Sequence, residues 1–532
     1  MKKSFFLFLS FLSPLLLIAG CGGGGGGGVV VAPPPPPPTG WQQGVFLDAS
    51  TFRNRCEAPR SGTDPATGQP YPDIAGSILD ENNFLRSFTN DTYLWYDEIT
   101  DQDPANFNDP EVYFEQLKTF AVLPSGAPKD SFSFSYDSAE WFQLSQGGVS
   151  AGYGARWAVI SATPPREIVV AYTEPNSPAT AVSLARGATI LAIDGVDINV
   201  GTQAGVDTLN AGLFPSTLGE PHTFTILDLG AQSPRDITMT STSVTSAMVQ
   251  ETQVFDTPTG KVGYLVFNYF RAPAEEALID AINQLINDAA PDPVDDLILD
   301  LRYNGGGFGV IARQLGFMIA GPSNTAGRIA DVFEFNDKHP ATNPITGEPL
   351  SPSPFPSTTS GFFTLPAGQP LPTLNLSRVF VLTGPNTCSA SELVMNSLRG
   401  IDIEVIQVGS TTCGKPYGFY EEPNCGTSYF PVQFRTVNEK GFGDYAEGFQ
   451  PSNVDDGLAN VLGCPVLDDY TKLLGDPGEN RLEVALAYQA GQTCIAPAAA
   501  GPGSLSKPGL RLDAVDGRVF RSPFDSNLIV QP

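Results

Sequence analysis

The sequence predicts a multidomain α/β protein, and three observations carry that prediction. A chain of 532 residues is long enough for about three domains. From Lys261 onward, short apolar runs alternate with amphipathic helical patterns, as in an α/β layer built on parallel strands. Ahead of that lie a helix-patterned stretch, 46–140, and a stretch of short β-branched runs, 147–245.

The first residues read as a targeting segment. "MKKSFFLFLSFLSPLLLIAGC" sets Lys2 and Lys3 before an uncharged apolar run from Ser4 to Gly20, short for a membrane span, so 1–20 read as a signal peptide. Its end, "LIAGC", resembles a bacterial lipobox, which implies cleavage before Cys21 and lipidation of the Cys21 thiol. With Gly22 rather than aspartate next, the resemblance to diderm lipoproteins implies the outer membrane of a bacterial envelope, facing periplasm or cell surface. The glycine and proline runs in 21–45 cannot pack a core and read as a tether.

A formal net charge of -28 argues against nucleic acid, and against an anionic membrane surface as an electrostatic partner. Setting Cys21 aside leaves Cys56, Cys388, Cys413, Cys425, Cys464 and Cys494, an even number that suits disulfides outside the cytoplasm. Proximity in sequence suggests Cys413 with Cys425 and Cys464 with Cys494. No C-x-x-C pair occurs and there are two histidines, His222 and His339, so no metal and no organic cofactor is expected. His222 lies in a strand-like stretch and His339 in a proline-rich insertion. Neither histidine lies in G-x-S-x-G context, so a serine hydrolase built on this chain takes its base from another residue type.

Along the chain, Phe84, Leu85, Phe88, Tyr93, Leu94 and Trp95 recur at near-helical spacing and read as the core of a small N-terminal helical domain, 46–140. In 147–245, the runs Ile168–Ala171 and Ile190–Ile193 bracket a small-residue helix, Pro178–Leu184, with Gly187 as its cap. This stretch resembles a PDZ domain. Gly152, Tyr153, Gly154 and Ala155 resemble its carboxylate-binding loop, and "SPATAVSLARGATILAIDG" resembles the bacterial PDZ run ending in Ile-Asp-Gly, with Gly187-Ala188 where Gly-Asp is usual. Such a domain implies a peptide bound as an added strand, its terminal carboxylate held by backbone amides. Residues 250–475 read as the α/β core and 476–532 as a C-terminal extension.

Three loops of the core each follow a buried strand: Asn304–Gly307, Thr387–Ala390 and Cys413–Pro416. Sites in α/β folds are built at the carboxyl ends of strands. Ser389 and Glu392 fit a Ser-x-x-Glu capping box, so Ser389 alone reads as a helix cap. A serine at a helix start, a lysine whose pKa burial can lower, and glycine amides that can face an oxyanion together also make an acyl-transfer site without histidine.

In this order the motifs closely resemble the C-terminal processing peptidases, or tail-specific proteases, which join a PDZ domain to a Clp-protease/crotonase-like α/β core with a Ser-Lys dyad. "LDLRYNGGG" (299–307), "SASE" (389–392), "VGSTTCGK" (408–415) and "GFQPSNVDD" (448–456) carry the resemblance, over roughly 84–475. It implies Ser389 as nucleophile, Lys415 as base, and the amides of Gly306 and Ala390 as the oxyanion hole. The implied partners are proteins or peptides with exposed C-termini, and the membrane through a lipid anchor. Two departures stand out. Phe419 occupies the place of a glutamine that orients the lysine, and Cys388 directly precedes the serine, where a small residue is common. Phe419 leaves room for an alternative, a catalytically inactive lipoprotein that binds peptides or hydrophobic ligands on the same fold. Arg302 reads as a structural ion-pair partner.

Overall fold

The structure, a computed structural model, describes residues 40–494 and 528–530 apart from positions 216 and 363. The signal peptide, Cys21, most of the tether and most of the C-terminal extension lie outside the described residues. The chain divides into Met1–Gln42 and Gln43–Pro532, and every element below belongs to the second unit.

The N-terminal region holds one long helix, α1 (Ile78–Thr92), capped by Ser77, whose side chain accepts from the Asp80 amide. The helix stops where Tyr93 turns extended, so the near-helical spacing of aromatics does not continue it. Tyr93, Leu94 and Trp95 instead cluster with Tyr417 and Val432 of the core. A Cys56–Cys425 disulfide also ties this region to the core.

Next come β1 (Ala155–Ser161), β2 (Glu167–Thr173), α2 (Pro178–Ala181), β3 (Thr189–Ile193), α3 (Gln203–Leu213), β4 (Pro221–Leu227) and β5 (Arg235–Thr240). The strands pair antiparallel in the order β5-β4-β3-β2-β1. They close over a core that includes Ile168, Val170, Ile190, Ile193, Leu209 and Phe224. The helix expected over Pro178–Leu184 stops after Ala181, because Ser183 takes a left-handed backbone (φ 56).

The α/β core follows as β6 (Val249–Thr257), β7 (Gly260–Phe267), α4 (Ala274–Ala289), β8 (Asp296–Asp300), β9 (Gly307–Phe308), α5 (Gly309–Thr325), β10 (Ile329–Phe335), β11 (Arg378–Thr383), α6 (Ala390–Gly400), β12 (Glu404–Gly409), β13 (Tyr417–Tyr420), β14 (Phe434–Val437), β15 (Gln450–Ser452), β16 (Asn460–Pro465), α7 (Asn480–Gln489) and β17 (Leu528–Val530). Its main sheet has seven strands in the order β6-β7-β8-β11-β12-β16-β15, antiparallel only at β6–β7. Every residue of β8 is buried, as in a parallel strand covered on both faces. α4, α5 and α6 cover one face. Leu482, Val484 and Ala485 of α7 cover the other, against Val262, Ile298, Phe380 and Ile406. The core therefore runs past residue 475, where the sequence placed its end. A second sheet, β9-β17-β13-β14-β10 continued by Ser353–Pro354, lies beside the first.

Candidate active site

β8, β11 and β12 are parallel neighbours in register, with Asp300 opposite Leu382 and Leu382 opposite Val408. The turns that follow them therefore emerge at one edge of the sheet. Hydrogen bonds then tie the three loops together. The Cys388 amide and the Ser391 hydroxyl donate to the Asn304 carbonyl at 3.1 and 3.0 Å, and the Cys413 amide donates to the Thr387 carbonyl at 3.0 Å. A Cys388–Cys413 disulfide joins the second loop to the third. Cys413 thus pairs with Cys388 rather than with Cys425, because strand order brings distant loops closer than sequence spacing suggests. Cys464–Cys494 pair as proximity suggested. With its sulfur in a disulfide, Cys388 offers no thiol nucleophile.

Ser389 stands at the N-terminus of α6 with φ 58 and ψ −111. That backbone strains a residue with a Cβ, the kind of conformation that collects at functional sites. Ser389 and Glu392 are placed as a capping box, yet the serine side chain makes no cap hydrogen bond. The Ser389 amide donates to Glu392 Oε2 at 2.8 Å, but Ser389 Oγ, on a residue only 1% exposed, has no hydrogen-bond partner among the described residues. A capping serine would spend that hydroxyl on the first turn. Here it is left for something else.

Gly306 packs directly on Ser389. With φ 106, a Cβ there would come within 2.9 Å of Ser389 Cβ and 3.0 Å of the Ala390 nitrogen, so the position admits glycine alone. Its amide donates to Asn304 Oδ1 at 2.9 Å, while Asn304 Nδ2 holds the Phe267 carbonyl. The Gly306 N–H is therefore engaged in this structure. Ala390 opens α6, where first-turn amides have no acceptor within the helix.

Lys415 is 1% exposed. Its Nζ lies 4.4 Å from the ring centre of Phe419 and 5.0 Å from that of Phe132. Burial pushes the ammonium well below the ordinary lysine range, while the charges of Asp130 and Glu392 pull it back up. Phe419 supplies an apolar wall in the place where a glutamine was expected. The face of its ring still favours the charged form.

The buried carboxylate of Glu392 connects the parts. Oε2 accepts the amides of both Ser389 and Lys415 at 2.8 Å, and Oε1 accepts the Gly414 amide at 2.8 Å and the Thr412 hydroxyl at 2.5 Å. Burial raises the Glu392 carboxyl, against the pull of these hydrogen bonds. The sulfurs of Cys388 and Cys413 and the Glu392 carboxylate lie within 4.8 Å of one another, a spacing a metal can use. The disulfide removes both thiolates from that set. Sequence reasoning met Glu392 only as a capping partner, placed Asn304 and Thr412 in the site segments without a role, and did not find Phe132. The signal for Glu392 was present in "SASE"; the lysine side of its role depends on long-range packing.

Gly152, Tyr153, Gly154 and Ala155 line a cleft of about 1650 Å³ that extends past Tyr303 to Asn386 and Ser410, in the turns that lead to Ser389 and Lys415. Gly154 has φ 73, and a Cβ on it would meet Ser177 Cβ at 2.3 Å. Below the cleft, Arg302 is fully enclosed by Asp300, Asp468 and Glu479, the structural ion pairing its sequence suggested. His222 pairs with Asp194 and His339 with Asp91, far along the chain from the three loops.

Comparison with known proteins finds similarity in both the N-terminal region and the α/β core. A model of Peptidase family S41 matches residues 261–418, and one of the Peptidase S41 N-terminal domain matches 80–136. Over 138 residues the chain is 33% identical to a carboxyl-terminal-processing protease of Picosynechococcus sp.; the shared stretch is 25% of this chain and spans 30% of that relative. Its fold is similar to that of an S41 protease candidate from Bacteroides fragilis, with a TM-score of 0.57 and 23% identity over 80% of this chain and 98% of that one.

Proposed function

Because the chain carries both the N-terminal and the catalytic domain of peptidase family S41, we propose that it is a serine endopeptidase working through Ser389 and Lys415. The observation that carries this reading is the shared carboxylate oxygen. Glu392 Oε2 holds the amides of Ser389 and Lys415 together, beside a serine hydroxyl with no partner and a lysine that burial drives toward neutrality.

Neutral Lys415 takes the proton of the Ser389 hydroxyl as its oxygen attacks a peptide carbonyl. The developing oxyanion is received by the Ala390 amide and by the Gly306 amide once that leaves Asn304. Lys415 passes its proton to the leaving amine, and water, activated in the same way, releases the acyl group from Ser389. The 147–245 domain acts as a PDZ module that takes an exposed C-terminal tail at Gly152, Tyr153, Gly154 and Ala155 and delivers the chain along the cleft. The protein is held in a bacterial envelope by lipid on Cys21, with no part for nucleic acid.

Incubation of an unfolded protein ending in an apolar tail with the wild type, Ser389→Ala and Lys415→Ala proteins tests this, with cleavage followed by mass spectrometry. Cleavage by the wild type alone is expected. Phe419 favours a second reading, a peptide binder without catalysis; tail binding with no cleavage by any version would establish that reading instead.

A further inference from the structure

β17 (Leu528–Val530) comes last among the described elements of the chain, yet it is an interior strand of the second sheet. It pairs in parallel with β9 on one side, Gly307 opposite Leu528 and Phe308 opposite Ile529. It pairs in parallel with β13 on the other, Phe419 opposite Ile529 and Tyr420 opposite Val530. These flanking strands are the direct continuations of the two catalytic loops: β9 follows Gly306 and β13 begins two residues after Lys415. Phe270 already bonds the far side of β9, its amide to the Gly306 carbonyl and its carbonyl to the Phe308 amide. Without β17, β9 and β13 present open edges to each other across a gap one strand wide, and open edges accept an added strand.

We infer that this gap is the subsite in which the peptidase holds extended peptide, and that the chain's own segment around Leu528–Val530 is its resident occupant, excluding substrates. The inference rests on the peptidase reading and deepens it. Leu528 stands beside Gly307, next to the glycine packed on Ser389, and β17 then runs away from the nucleophile. A segment seated there fills the ladder position beside the Gly306–Gly307 turn that packs on Ser389. The "NLIVQ" sequence around the strand is rich in β-branched residues and suits an extended, laddered backbone. Recognition through the ladder selects for backbone N–H groups, so proline within the segment is rejected. Tethered in cis, the segment competes at an effective concentration on the order of millimolar.

Binding tests this without requiring catalysis. Ser389→Ala chains ending at residue 532 or at residue 521 are titrated with a fluorescent peptide of residues 522–532, and anisotropy is read. The shortened chain is expected to bind it, and the longer chain to bind at least about tenfold more weakly. A full-length Ser389→Ala chain with Ile529→Pro, which keeps its length but loses a ladder donor, is expected to bind the peptide like the shortened chain. A peptide carrying the same Ile529→Pro change is expected to bind neither. Equal binding to the two parent chains, no binding to the shortened chain and the Ile529→Pro chain, or undiminished binding of the proline peptide overturns the inference. If the shortened chain binds the peptide yet its Ser389 form cleaves no protein, the subsite stands and the peptidase reading falls.

Discussion

Arg302 and Lys415 are both cations sealed inside the same α/β core, and the protein treats them in opposite ways. Arg302 is met by three carboxylates: Asp300, Asp468 at 2.8 Å and Glu479 at 2.7 Å. Their charges outweigh the cost of burial and hold its pKa well above the ordinary arginine value. Lys415 sits over two aromatic rings. Two buried acids, Asp130 and Glu392, raise its pKa by their charge, and they also accept from Tyr93, Phe132 and Ser133, and from Ser389, Thr412, Gly414 and the Lys415 amide. Burial wins there and its pKa falls. A compensated cation is a strut. A cation whose charged form burial disfavours is suited to accept a proton.

Replacing each cation by methionine separates these roles. Lys415→Met is expected to lower peptide hydrolysis by about 10⁴-fold or more while leaving the melting temperature unchanged or raised, as an apolar chain suits that pocket. Ser389→Ala is expected to match it in rate. Arg302→Met strands buried carboxylates and is expected to cost roughly 3–5 kcal/mol in denaturant unfolding. A Lys415→Met protein as destabilised as Arg302→Met would erase the distinction.

Glu392→Gln keeps the shape but can no longer accept all four hydrogen bonds. A fall in kcat of about 10²-fold, with a stability loss of roughly 1–3 kcal/mol, is expected from hydrolysis rates and chemical unfolding. Retained kcat would show that the loops hold their geometry without it.

The Cys388–Cys413 disulfide closes a loop between residues 25 apart. On chain entropy alone, the double serine variant should lose about 3 kcal/mol, read as a lowered unfolding midpoint. The smallest effect expected is that of Phe419→Leu. Removing a ring face that favours the ammonium lets Lys415 lose its proton more easily, so the acidic limb of the rate profile moves to lower pH by under about one unit. Movement to higher pH would reverse the role given to the ring.

What was legible in the sequence was local. The buried run "DLILD" and the glycines after it, the strand "RVFVLT" before "NTCSAS", and "EVIQVG" before "TTCGK" each announce a strand and the turn that ends it. Adjacent parallel strands then bring those turns together. What escaped depends on contacts between distant segments. Glu392 was fully explained by its own helix turn, so its grip on residues 412–415 could not be read from spacing. Phe132 and Asp130 reach Lys415 from the N-terminal region, and Cys413 found Cys388 across two strands instead of Cys425 along the chain. Residues 528–530 follow a stretch rich in alanine, glycine and proline that gives no hint of a strand in the core.

The central claim is that Lys415 activates Ser389. The most direct measurement is the rate at which a fluorophosphonate labels Ser389, read by mass spectrometry of the intact protein from about pH 5 to about pH 9, with and without Lys415→Met. Since burial lowers the Lys415 pKa, neutral lysine accumulates as pH rises through it. Labelling of the wild type should therefore climb with pH and level off, and the variant should label slowly throughout. Labelling that is flat with pH in the wild type, or equally fast without the lysine, would contradict the account.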